Sequence, residues 1–162
     1  MDNSDISYDV PAFDRPAAGA PAGHRVLSIG GRVVGAGLLL GMAWIHWRLY
    51  NIGFSSIAMI GPAFYANAVL GVLAAAAVLV TPSRWLAVTA GAAALLDAGT
   101  LFALILSLSV GLFGYHETSD APFVPVTIVV ELLGAVELAW LALLHREPLL
   151  GRLRALAARR RS

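Results

Sequence analysis

The chain has no cysteine, no lysine and little charge of either sign, with only 13% of its 162 residues charged. Without cysteine, a disulfide framework, a zinc–cysteine site and thiol catalysis are excluded. The low charge, set beside 59% hydrophobic residues and a mean hydropathy of +0.77, excludes an ordinary water-soluble domain. Also missing are a phosphate-binding glycine loop, an HExxH pair, a nucleophile elbow and any kinase element. The expectation is therefore a non-enzymatic protein. Haem between two histidines is disfavoured, because His46 alone lies within an apolar run, His116 and His145 fall at helix ends on opposite sides, and His24 precedes the first run. No cofactor is expected.

What the sequence does contain is long apolar runs. A bilayer core about 30 Å thick asks for roughly 20 apolar residues per helical crossing, and four runs meet that length, near 26–49, 57–80, 85–113 and 123–145. The fold class predicted is an all-α membrane protein, a four-transmembrane-helix antiparallel bundle over 26–145. Residues 1–25 carry Asp2, Asp5, Asp9 and Asp14 and then Pro11, Pro16, Gly19, Pro21 and Gly23, the composition of a disordered tail. That stretch begins acidic and lacks a small-residue cleavage site after an early apolar core, so the first run is expected to be retained as a span. In 146–162, Leu149, Leu153 and Leu156 recur at helical spacing among Arg152, Arg154, Arg159, Arg160 and Arg161. A basic amphipathic helix on an anionic lipid surface is predicted there, each Arg contributing about 1 kcal/mol.

Arginine orients the bundle, because loops on the cytoplasmic side gather basic residues. Arg15, Arg25 and Arg32 near the first span, Arg84 in the second turn and the six after the fourth span all fall on one side. The other side holds Arg48 and an acidic loop with Glu117 and Asp120. Both termini are therefore predicted to be cytoplasmic, with Trp44, Trp47, Tyr50 and Tyr115 as the outer aromatic belt and Trp85 and Trp140 as the inner one. Thr81-Pro82-Ser83-Arg84 predicts a tight turn with Ser as the N-cap. Gly31-x3-Gly35 and Gly37-x3-Gly41 permit close helix approach, read as packing within the chain ahead of a homodimer face. Arginine in place of lysine, with Ala, Gly, Leu and Val dominant, points to a GC-rich bacterial genome and so to the bacterial cytoplasmic membrane.

Six polar side chains fall at membrane depth, where each costs about 2.5 kcal/mol or more unless it is turned inward and partnered. By a rise of about 1.5 Å per residue they form two tiers. His46, Arg48 and Glu131 lie toward the outer surface, and Asn67, Asp97 and Glu137 near the middle. Helical spacing puts Asp97, Thr100 and Ser107 on one face of span three and Thr127, Glu131, Gly134 and Glu137 on about a third of span four. The expected partner of Glu131 is Arg48 or His46. The cluster either fixes helix register or holds a ligand. His46, His116, Glu117 and Asp120 have the ligand types for a borderline cation, but nothing in their spacing singles out a metal site.

His46, Gly61-Pro62-Ala63-Phe64, Ser109-Val-Gly-Leu-Phe-Gly-Tyr-His-Glu, Glu131 and Glu137 carry a family likeness over about residues 30–145. The chain resembles small uncharacterised four-helix integral membrane proteins of actinobacteria. In these, a His near an outer aromatic ends span one, Gly-x-x-Phe opens span two, and an acidic outer loop leads to a fourth span with Glu. The chain differs from them at Arg48 and in its outer loop, and the resemblance implies a fold without an activity. The function expected is a scaffold or accessory component of a larger membrane assembly, its partners being lipid, another membrane protein or a second copy. The alternative is a binding or transport module for a proton, a cation or a small lipophilic molecule such as a quinone. The spans offer no inverted repeat, and a basic segment beside a span is an orientation signal, so nucleic acid is not an expected partner.

Overall fold

A computed structural model describes residues 22–147. Among them are four long helices, α1 (Ala22–Asn51), α2 (Ile60–Val80), α3 (Ser83–Ser109) and α4 (Val124–Leu144), with one 3-10 turn at Phe54–Ser56. All four are long and apolar enough to cross a membrane. In hydrocarbon every backbone N–H and C=O must be bonded within its own segment, which is why the apolar runs appear as helices. The protein is a four-helix, multi-pass membrane bundle. The expectations for the chain up to residue 21 and from residue 148 onward lie outside the described residues.

The helix ends shift from the apolar runs for local reasons. α1 begins at Ala22, because the helix continues beyond the apolar run through His24 and Arg25. α2 begins at Ile60 rather than 57, since Gly53 at φ 144, the 3-10 turn and Met59 at φ 67 carry the chain across the outer end first. Gly61 lets that turn fold down, for a Cβ there would stand 2.8 Å from the Phe54 and Ser55 carbonyl oxygens. α3 stops at Ser109 because Gly111 takes φ 83 and returns its N–H to the Leu106 carbonyl at 3.0 Å. At the turn between α2 and α3 the N-cap is Pro82, not Ser83, and no side chain caps the helix.

α1 packs against α2 and α4, α3 packs closely on α4 and lightly on α2, and α1 and α3 stand diagonally. The buried core is made of Ala36, Leu39, Met42, Ala75, Val78, Leu86, Ala90, Leu138, Leu141 and their neighbours. It fills the half of the bundle nearer the α2–α3 turn. Glycine sets the helix separation. A Cβ at Gly71 would lie 2.9 Å from the Ala43 side chain, and one at Gly35 would lie 2.8 Å from Leu138. Gly31 and Gly35 thus serve α4 of the same chain, as intrachain packing requires, whereas Gly37 has open space around it.

Polar ties close the same end. Arg32 donates to the Val78 and Leu79 carbonyls at 2.9 and 3.0 Å, two of the acceptors that the end of α2 leaves without a helical partner. His145, just past α4, is buried and shares a 2.9 Å hydrogen bond with Ser28 of α1, and His24 packs edge-on to its ring. Burial, with His24 and Arg32 nearby, holds the His145 imidazole below its ordinary value of 6.5. The folded state therefore binds that proton less readily than the unfolded chain. Its full contribution is present above pH 6.5 and is lost as the pH falls below it. His145→Gln is expected to lower thermal stability in detergent at pH 8 but to lose less on acidification to about pH 5.5 than the parent. Parallel pH profiles of the two melting temperatures would reject this account.

Candidate functional site

The outer half of the bundle is hollow. α2 and α3 part above their turn, and a cavity of about 90 Å³ opens between them. A water needs roughly 10–15 Å³ measured this way, so the space exceeds what one or two waters fill. Its walls are Ala63, Phe64 and Asn67 from α2, Thr100, Ala103, Leu104 and Ser107 from α3, and Val124, Thr127 and Glu131 from α4. His46 and Leu49 of α1 close the back, and Leu112, Phe113, Tyr115 and Glu117 of the outer loop roof it.

The roof is built by backbone geometry. Leu112 and Tyr115 exchange hydrogen bonds of 2.7 and 2.9 Å across Phe113 at φ 51 and Gly114 at φ 79, a turn with two left-handed residues. The Glu117 N–H then bonds the Ser107 carbonyl at 3.2 Å and ties the loop to α3. The Tyr115 hydroxyl donates to Glu117 at 3.2 Å, and burial together with that carboxylate raises its pKa, so it stays a donor. Its ring meets Phe54 edge-on, Phe54 packs on Phe64, and Phe64 on the His46 ring. Tyr115 is thus half-buried over the cavity rather than part of a lipid belt.

At the floor, His46 Nε2 lies 3.7 Å from Glu131 Oε1. The His46 Nδ1–H donates to the Met42 carbonyl at 3.0 Å, since a carbonyl can only accept. Thr100 stands beside Glu131, but its hydroxyl hydrogen goes to the Asp97 carbonyl at 2.9 Å. Both carboxyl oxygens of Glu131 are consequently buried without a hydrogen-bond partner. Asp97 is equally buried and bare, its carboxyl laid on α4 at Gly134, where a Cβ would collide with Oδ2. Gly134 is one turn from Glu131, which sets Asp97 directly beneath the floor.

Of the six polar residues singled out in the sequence, His46, Asp97 and Glu131 come together, and Asn67 lines the cavity wall. Arg48 does not join them. Two residues from His46, at about 100° each, turn it to the far side of α1, where it is exposed, and it makes no ion pair with Glu131. Glu137 also stands apart, half-buried against Gly31 of α1 while Asp97 faces Gly134. The two tiers are therefore replaced by one line, His46–Glu131–Asp97. His116 and Asp120 are exposed, and among the described residues no three histidine, aspartate or glutamate side chains gather around one point. The sequence reading missed the aromatic roof, for which Gly61-x-x-Phe64 was the available signal, and the seat at Gly134, legible as a glycine one turn from Glu131.

Fold and site together define a four-helix membrane protein with a filled half and a hollow half. Comparisons with family models, with curated proteins and with solved structures find no match to the chain.

The site geometry makes His46, not Arg48, the residue coupled to Glu131. In a double-mutant cycle read by unfolding in detergent, His46→Gln with Glu131→Gln is expected to depart from additivity by about 0.5–3 kcal/mol, as residues in contact do. Arg48→Gln should cost no more than about 0.5 kcal/mol and add independently to Glu131→Gln. Coupling to Arg48 with none to His46 would contradict the site.

Proposed function

We propose that this membrane protein binds a small lipophilic molecule in the outer cavity, with the polar end of the molecule held at Glu131 and His46. The observation that carries this reading is the pair of unpartnered Glu131 oxygens at the inner end of a mainly apolar, aromatic-roofed space. Each bare acceptor costs about 1–3 kcal/mol, and Glu131, unlike Asp97, lines the cavity, where a donor on a ligand can relieve that cost. Polar groups of this kind converging on an apolar pocket are the usual form of a small-molecule site. Strain adds support: Met59, Phe113 and Phe123, the non-glycine residues at positive φ among those described, all lie around the outer end. Backbone strain of this sort concentrates at ligand clamps.

A second role, as a component of a larger assembly, is favoured by one feature. Leu40, Trp44, Trp47, Val69, Val72 and Leu73 line an open apolar groove between α1 and α2. Native mass spectrometry of the full chain released from lipid nanodiscs reads both. A small lipophilic adduct is expected on the parent chain and not on Ala103→Phe, which fills the cavity. The parent and the filled variant carrying the same adducts, or neither carrying any, would count against a cavity ligand, and a co-purified membrane protein would move the weight to the second role.

We also propose a cytoplasmic position for both ends, in a bacterial inner membrane, supported by the arginines at the α2–α3 turn and after α4 against the acidic outer loop. Since the chain has no cysteine, single cysteines at Ser119 and Ser162 can be labelled cleanly. Ser119→Cys should react with an impermeant thiol reagent on intact cells and Ser162→Cys only after lysis. The reverse pattern would invert the topology and place the cavity mouth on the cytoplasmic side.

A further inference from the structure

We infer that the molecule held in the outer cavity carries a protonated primary amine at its polar end, an inference that rests on the reading of the cavity as a ligand site. It comes from a count of hydrogens. A neutral imidazole donates through one nitrogen only, and that of His46 is committed to Met42, so Nε2 turns a lone pair to the cavity. Glu131, fully buried, adds two oxygens without a donor. Three of the four hydroxyls around the cavity have spent their hydrogens: Thr100 on the Asp97 carbonyl, Thr127 on the Phe123 carbonyl at 2.7 Å, and Tyr115 on Glu117. The floor is thus rich in acceptors, and the Asn67 amide on α2 and the Ser107 hydroxyl farther out on α3 are the donors left on the walls.

Against an ionised Glu131, a ligand ending in a carbonyl or carboxylate would face further acceptors. An ammonium group brings three donors and a positive charge. His46 Nε2 and Glu131 Oε1 are 3.7 Å apart, too far to bond each other. One nitrogen placed between them reaches both at ordinary lengths of about 2.9 Å. Phe64, which lines the cavity and packs edge-on with the His46 ring, adds an aromatic neighbour to the site. The apolar upper walls, Ala103 and Leu104 among them, suit the first few carbons of a hydrocarbon body, the rest of which leaves through the open side of the cavity.

The test uses the full chain in nanodiscs of uncharged phospholipid and compares octylamine hydrochloride, 1-octanol and sodium octanoate by titration calorimetry, with empty nanodiscs subtracted. Octylamine is expected to bind at least about tenfold more tightly than octanol, the ratio expected of a charge-assisted bond over a neutral one. Glu131→Gln should remove that advantage, and Ala103→Phe should remove binding of both. Octanol or octanoate binding as well as octylamine, in a manner that Ala103→Phe abolishes, overturns the amine and leaves the cavity reading standing. That result is also the one expected if His46 is itself protonated and neutralises Glu131. An octylamine preference that survives Glu131→Gln overturns the inference too. Heats unchanged by Ala103→Phe overturn the cavity reading itself. Leu104→Phe replaces Ala103→Phe if the latter does not fold, and without a folded Glu131→Gln the ranking of the three probes on the parent chain decides.

Discussion

Within hydrocarbon a polar atom has only the bundle to turn to, and the glycine contacts between α1 and α4 decide which partners are in reach. Gly31 meets Leu141 and Gly35 meets Leu138. That antiparallel register, fixed by places where a side chain on α1 would not fit, brings His46 beside Glu131 two turns farther out. Gly134 does the same for α3, receiving the Asp97 carboxyl where any larger residue would displace it. Three glycines on two helices thereby draw an imidazole and two carboxyls from three helices into one line. Small residues are the means by which helices in lipid approach closely, and in this chain the approach fixes chemistry as well as packing.

The two halves of the bundle treat space differently. Toward the α2–α3 turn, alanine, leucine and valine interlock and leave α2 and α3 no freedom to part. Toward the outer end the same two helices are held by no turn of their own, and the gap is covered by loops. Those loops are shaped by residues in the left-handed region, Gly53, Met59, Phe113, Gly114 and Phe123. For a bulky residue that conformation costs roughly 1–2 kcal/mol. The roof is therefore held in place by its contacts with Phe54, Phe64 and Ser107 and not by backbone preference.

Much of this was legible in the sequence because it depends on length and period. Four apolar runs of crossing length predict four helices, and the tight turn at Pro82 predicts that α2 and α3 are antiparallel neighbours. The depth of a polar residue is legible too, from its distance along the run. What depth does not reveal is azimuth on the partner helix. Arg48 and His46 have nearly the same depth and opposite facings, so a reading by depth could not separate them. Glu137 and Asp97 also share a depth, yet Gly31 and Gly134 draw them to different helices. The aromatic roof escaped for another reason. It depends in part on Met59, Phe113 and Phe123, at positive φ without being the usual glycine or asparagine, and Gly61-x-x-Phe64 is the trace it leaves along the chain.

The two buried histidines show where the fold has been closed and where it has been left open. At the inner end, His145 faces the Ser28 hydroxyl, which donates or accepts as the ring requires, and the adjoining Arg32 is spent on the last carbonyls of α2. Nothing there asks for another molecule. At the outer end His46 is satisfied on one nitrogen only, and across 3.7 Å it faces a carboxyl with no donor at all. Both ends lie in the same chain, are built from the same residue types and face the same cost for a bare polar atom. A bundle that had only to hold together would gain by closing the outer end as it closes the inner one, with a serine or threonine hydroxyl turned toward Glu131. Thr100 stands in the place to do so, and its hydroxyl bonds its own helix instead.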